Sequence, residues 1–117
     1  MSEDIKRGEI YWVDWNPGRG SEQSGLRPAL VIQNDIGNKF SPTTIVAALT
    51  TAIEKPYPFL VKVTAKESGL PKDSTVNLAV ILTIDKTRLT SKCGELSEAK
   101  MAEVNEAIKA SLGGVNP

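Results

Sequence analysis

Four consecutive apolar residues, Ala29-Leu30-Val31-Ile32, follow directly on Arg27-Pro28 and constrain this chain more than any other feature. Side chains of a strand alternate between its two faces, so a run without a polar residue must be covered on both. Residues 28–33 therefore read as a central strand, and residues 44–51, Thr-Ile-Val-Ala-Ala-Leu-Thr-Thr, as another buried one. Immediately upstream, residues 20–28 run Gly-Ser-Glu-Gln-Ser-Gly-Leu-Arg-Pro, a loop that gathers a carboxylate, an amide and a guanidinium. A polar loop anchored by a rigid strand can hold charged groups over a substrate, and it can equally be an ordinary surface connection.

Period-two alternation and turn residues place the remaining strands at 9–15, 59–64 and 74–82, with a bent extended piece at 83–89. The sequence breaks at Asn16-Pro17-Gly18, and 34–43 and 68–73 read as irregular loops. Ser97 can cap a helix whose apolar stripe is Met101, Val104, Ile108 and Leu112, stopped at Gly113. Several short strands and one packing helix imply a single domain over 1–117, a small curved sheet or barrel with a helix laid against it. Pairing with a second copy is one way to protect the sheet edges.

The 117 residues contain no histidine and a single cysteine, Cys93. Histidine-based triads, histidine acid/base pairs, the usual zinc sites and intrachain disulfides are thereby excluded. Lysine plus arginine equals aspartate plus glutamate at 14 each, so a polyanion must be met by a local patch. No apolar run approaches a membrane span and the charged start has no signal-peptide core, so a soluble cytoplasmic protein without membrane contact is expected.

Three stretches together resemble the MazF/PemK family of bacterial toxins: Gly8-Glu9-Ile10-Tyr11-Trp12-Val13-Asp14, Gly20-Ser21-Glu22-Gln23-Ser24-Gly25-Leu26-Arg27-Pro28, and Leu30-Val31-Ile32-Gln33-Asn34-Asp35. The resemblance continues through Ser41-Pro42-Thr43, Thr50-Thr51 and Thr83-Ile84-Asp85-Lys86, with Arg88 and Leu89 following, and covers nearly the whole chain. It implies a mainly β fold with α, a small SH3-like β-barrel of the CcdB/PemK-like type with a C-terminal helix packed on it. It also implies a homodimer, a metal-independent endoribonuclease that needs no cofactor, single-stranded messenger RNA as substrate, and neutralisation by a cognate antitoxin. A non-catalytic toxin of the same fold that inhibits a protein target such as gyrase is the competing reading, and a plain SH3-like binding module is a third.

Cleavage without a metal requires the 2′-hydroxyl to attack the adjacent phosphate, with donors for the developing charge and groups that move protons. Arg27 offers fixed charge and a planar fork of donors. Thr50, at the family's second functional position, offers a hydroxyl. Glu22 is either the base or the group that holds Arg27; the preferred reading is that Glu22 and Gln23 orient the loop and contact RNA, with Ser21 a further expected contact. Asn34, Tyr57, Lys86 and Arg88 are further candidate RNA contacts; Lys92 adds to a basic cluster that an edge strand would also show. Each has a plainer reading: Arg27 paired to a carboxylate, Thr50 present for β-propensity, and Trp12 and Trp15 as core rather than base-stacking groups. Tyr11, Val13 and Trp15 share one strand face and Ile10, Trp12 and Asp14 the other; one set is expected in the core. The chain departs from the family pattern at Ala79, Val80 and Leu82, where polar groups are usual, which implies a drier dimer interface and altered base recognition.

Overall fold

The structure is a computed structural model and describes residues 4–15, 25–51, 53 and 55–113. The break expected at 16–18 and the loop at 20–24 lie outside the described residues. In chain order the elements are β1 (Glu9–Asp14), β2 (Leu26–Val31), α1 (Asp35–Phe40), β3 (Thr43–Thr51), β4 (Leu60–Val63), α2 (Ala65–Ser68), β5 (Ser74–Asp85), a 3₁₀ turn (Lys86–Arg88), β6 (Leu89–Glu95) and α3 (Glu98–Leu112). All six strands form one antiparallel sheet in the order β4-β5-β3-β2-β1-β6. No described helix is long and apolar enough to cross a membrane.

The expected class holds, mainly β with a C-terminal helix packed on the sheet, but the sheet is not closed, since β4 and β6 end it without pairing. The seam between those edges is filled by helix. Gly69 ends α2 in the left-handed conformation (φ 82°) and lies directly against the β6 backbone. A Cβ at Gly69 would stand 1.9 Å from the Cys93 carbonyl oxygen, and one at Gly94 would stand 2.2 Å from that of Ser68. Two glycines facing each other thus let α2 seat on β6 where any side chain would collide.

Both faces of the sheet carry core, which is why the central strands are apolar throughout. One face packs Ile10, Leu30, Ala47, Leu49, Val76 and Leu78 against Met101, Val104 and Ala107 of α3. The other packs Ile5, Val13, Ala29, Val31, Val46 and Ile84, flanked by Tyr11 and Trp15. The expectation that only one face of β1 is core is therefore corrected: Trp12 packs on the first cluster, Trp15 on the second. On α3 the buried stripe is Met101, Val104 and Ala107, with Ile108 half-buried and Leu112 69% exposed. Leu112 sits in the last turn before Gly113, and the apolar periodicity runs on one turn beyond the buried stripe.

Local signals explain the elements that pattern alone leaves out. Asn34 caps α1, accepting from the Gly37 amide at 2.9 Å, so the supposed loop at 34–43 contains a helix. Thr64 and Glu67 form a reciprocal capping box on α2. α1 is held by buried Asn38, which donates to the Gln33 carbonyl (2.9 Å) and accepts from Thr44 (2.7 Å) and Gln33 (3.0 Å). β5 extends to Asp85, beyond the expected 82, because it bulges: Ala47 pairs with Ile81 but the next residue, Ala48, pairs with Asn77. β6 is an edge strand with no apolar alternation to announce it.

The ladder between β2 and β3 is short, and Pro28 is the reason. Val31 accepts from Gly8 on the β1 side, whereas Ile32 donates to Ile45 on the β3 side. Hydrogen-bonding direction alternates along a strand, so even-numbered residues of β2 face β3. Pro28 is even-numbered and has no N–H to give. Pairing of β2 with β3 accordingly runs from Val31↔Val46 to Ala29↔Ala48 and ends there, although pairing of β2 with β1 continues to Asp14↔Leu26.

Three substitutions test these contacts. Gly69→Ala should lose at least ~2 kcal/mol in urea unfolding, combining a positive-φ cost with a backbone collision. Gly113→Ala, also at positive φ but with nothing within 4 Å, should lose only about 1 kcal/mol. Pro28→Ala should extend the β2–β3 ladder, so that the new amide exchanges at least ~10-fold more slowly than an unstructured one; free exchange at residue 28 would mean that something else parts the strands.

Candidate functional site: a cleft between parted strands

Where β2 and β3 separate, a cavity of about 300 Å³ opens, lined by Trp12, Arg27, Pro28, Leu49, Thr50, Thr51, Leu70, Pro71, Lys72 and Ser74. Residues of both sheet faces meet there, Trp12 and Leu49 from the α3 side and Arg27 and Thr50 from the other, as suits a gap between strands. Continuing the register two residues past Ala29↔Ala48 sets Arg27 opposite Thr50. Thr50 in turn pairs with Thr75, and Arg27 with Val13, so the two candidates occupy neighbouring strands in one row of the sheet. Sequence positions far apart are thus brought to one spot by the β2-β3 adjacency alone.

The guanidinium of Arg27 is exposed and makes no hydrogen bond or ion pair among the described residues. The plainer reading of Arg27, a structural partner for a carboxylate, finds no support in those contacts. Thr50 is exposed as well, and its hydroxyl donates to the Thr51 carbonyl at 3.0 Å. Rotation about its Cα–Cβ bond redirects that proton into the cleft. The cleft thus carries the charge of a guanidinium beside a hydroxyl donor. That pairing suits a phosphate diester. Ser21, Glu22 and Gln23 lie outside the described residues.

The remaining sequence candidates are dispersed. Tyr57 and Phe59 form a parallel stack, with centroids 5.3 Å apart and an interplanar angle of 11°, and Tyr57 is 46% exposed. They do not line the cleft. Asn34 stands beyond the other end of β2, where its side chain caps α1. Lys86 donates its ammonium to the Asn38 carbonyl, and Arg88 donates to the Asp14 carbonyl at 2.9 Å. Lys92 bridges Glu95 (2.9 Å) and Glu9 (3.1 Å), and hydrogen bonds to these two carboxylates, Glu95 foremost, push its pKa up to about 12. Burial, and then the Glu9 carboxylate, likewise push the Tyr11 hydroxyl to about 12. The basic cluster at 86–92 is therefore built into framework contacts.

Sequence reasoning overlooked the far wall, Leu70, Pro71 and Lys72. The available signal was topological: this loop leads into Ser74, which pairs with Thr51 at the end of the Thr50 strand. The apolar departure at Ala79, Val80 and Leu82 falls at and beside the β5 bulge, where Val80 is 42% and Leu82 39% exposed.

Comparison with known proteins bears on the fold and the family. The profile of the PemK-like, MazF-like toxins of type II toxin-antitoxin systems matches residues 6–112. The chain is 52% identical over 109 residues to endoribonuclease EndoA of Bacillus subtilis, covering 92% of this chain and 94% of that protein. It is 51% identical over 110 residues to endoribonuclease MazF of Staphylococcus epidermidis, covering 93% and 92% respectively. Among solved structures, a mycobacterial endoribonuclease in complex with its cognate antitoxin superposes with a TM-score of 0.77 at 26% identity, covering 97% of this chain and 99% of its own. The MazE-MazF structure from Deinococcus radiodurans gives 0.79 at 25% identity, covering 97% and 100%. With a match that spans nearly all of its length, this chain belongs to the PemK-like, MazF-like toxin family of type II toxin-antitoxin systems.

Proposed function

We propose that this chain is a sequence-specific, metal-independent endoribonuclease toxin that cuts single-stranded messenger RNA in the cytoplasm. The observation that carries the reading is the Arg27 guanidinium, unpaired among the described residues and set beside the Thr50 hydroxyl in an open cleft. In the proposed reaction the 2′-hydroxyl attacks the adjacent phosphorus, and the bond to the 5′-oxygen of the next nucleotide breaks. The products are a 2′,3′-cyclic phosphate and a 5′-hydroxyl. Arg27 neutralises the charge that builds on the phosphorane oxygens, and the departing 5′-oxygen takes up a proton from water. Thr50 adds one neutral hydrogen bond to the same phosphate. Glu22 is assigned the proton of the attacking hydroxyl, with Ser21 and Gln23 as RNA contacts on the same loop. As RNA fills the cleft it displaces water, which strengthens both interactions.

Recognition sits outside the cleft in this reading. The open face of Tyr57, backed by Phe59, is a platform for one base, since stacking tolerates any base. Asn34, Lys86 and Arg88 take supporting parts, because their side chains already serve the framework. The curated relatives are named endoribonucleases, and one structural neighbour is described with its cognate antitoxin. By the same reasoning this chain is neutralised by an antitoxin of its own and works as a homodimer, with exposed Val80 and Leu82 contributing a dry part of the interface.

The test is cleavage of a long single-stranded RNA in excess chelator, with cut sites mapped by primer extension. Discrete cuts are expected, and Arg27→Ala should cut ~10²–10³-fold more slowly, the usual effect of removing a phosphate-stabilising donor. Thr50→Val, which keeps the shape and loses the hydroxyl, should cost ~10²-fold. Intact RNA with the wild-type protein would overturn the reading and turn attention to a protein target.

A further inference from the structure

We propose that Lys72 is a substrate-binding residue of this cleft, gripping an RNA phosphate next to the one held by Arg27 and Thr50. The inference rests on the ribonuclease reading above and adds to it a cation that neither the motif nor the basic cluster contains.

Lys72 lines the same cavity as Arg27 and Thr50. It approaches from the opposite wall. The strand order runs β2, β3, β5, and Lys72 lies just before Ser74, the residue of β5 that pairs with Thr51. At backbone level it is therefore about two strand spacings, roughly 10 Å, from the Arg27 strand, with the threonine hydroxyls between. Two cations on opposite walls suit successive phosphates of a strand threaded between them better than a single phosphate gripped from both sides.

The ammonium of Lys72 makes no hydrogen bond or ion pair among the described residues. Its neighbour Asp73 forms no ion pair with it among the described residues, and that carboxylate accepts from the Ala65 amide at 2.8 Å at the start of α2. The loop beneath is fixed at each step. Gly69 is pressed on the β6 backbone, Leu70 is buried at 5% exposure, Pro71 restricts the chain, and the Ser74 hydroxyl bonds the Lys72 carbonyl at 3.0 Å. The backbone is thus placed in advance, and only the side chain loses freedom on binding. Lys92 lies at the other extreme, bridging two carboxylates.

The experiment measures binding and turnover for Lys72→Ala, Lys72→Arg and Lys39→Ala. Lys39 lies on α1, beyond the opposite end of β2, and its removal changes net charge equally. Binding is read as the dissociation constant for a single-stranded 2′-O-methyl RNA, which cannot be cut, across a salt series. Lys72→Ala should weaken binding ~5- to 10-fold at low salt and lower the log–log salt slope by about 0.7, the value of one phosphate contact on a single strand. On cleavable RNA it should raise KM and leave kcat within about twofold, while Lys72→Arg restores both affinity and slope. Lys39→Ala should match the wild type. An unchanged salt slope in Lys72→Ala, or a loss in kcat with KM unaltered, overturns the assignment. A wild-type protein that neither binds nor cuts RNA refutes the ribonuclease reading itself, a distinct result from tight wild-type binding that Lys72→Ala leaves untouched.

Discussion

A proline has no amide proton, and in this chain that missing donor falls where β2 would next bond to β3. Its consequence is local but decisive. The two central strands, buried on both faces and locked together as far as Ala29↔Ala48, part at Pro28 and leave their last residues pointing into open space. Arg27 and Thr50 occupy those last positions. A site made this way has rigid strands for walls and no ladder bonds to break before a ligand enters, which is the preorganisation that charge-stabilising catalysis needs. Because β2 keeps its pairing to β1 past the same point, Arg27 is not at a frayed end.

The remainder of the structure divides its charges between framework and cleft. Lys86, Arg88 and Lys92 face backbone carbonyls or carboxylates, and buried Glu9 accepts from the Lys6 amide and the Tyr11 hydroxyl while pairing with Lys92. In contrast, Arg27 and Lys72 line the cavity without such partners among the described residues. An unpartnered cation beside a cavity keeps its full attraction for an incoming anion, whereas one already bridged must give up a contact first. With no net charge on the chain, a polyanion would have to be met by a local asymmetry of this kind.

Much of this could be read from the sequence where pattern and energetics coincide. The unbroken apolar runs of β2 and β3 announced burial on both faces, and Ser97 and Gly113 bound α3 as their capping chemistry requires. Elements governed by single contacts were not legible. α1 carries a glycine in mid-helix and is held by the Asn34 cap and the Asn38 network; α2 is four residues long; β6 has no alternation. Nor did periodicity show the β5 bulge, which depends on how two distant strands share their hydrogen bonds. In the site, Arg27 and Thr50 came from the resemblance to a family, while the cleft joining them follows from the direction in which Pro28 faces. Lys72 was invisible because a loop's partner across a sheet is a property of topology.

The proposed reaction takes place at one phosphate, and the ends of the cut RNA report on it directly. The decisive measurement is mass spectrometry of fragments produced in excess chelator from two oligonucleotides, identical but for a 2′-deoxy sugar on the 5′ side of the cut. A 2′,3′-cyclic phosphate and a 5′-hydroxyl are expected from the all-ribose strand, and no cut in the other. Cleavage of the deoxy strand, or fragments ending in 3′-hydroxyl and 5′-phosphate, would contradict the proposed reaction.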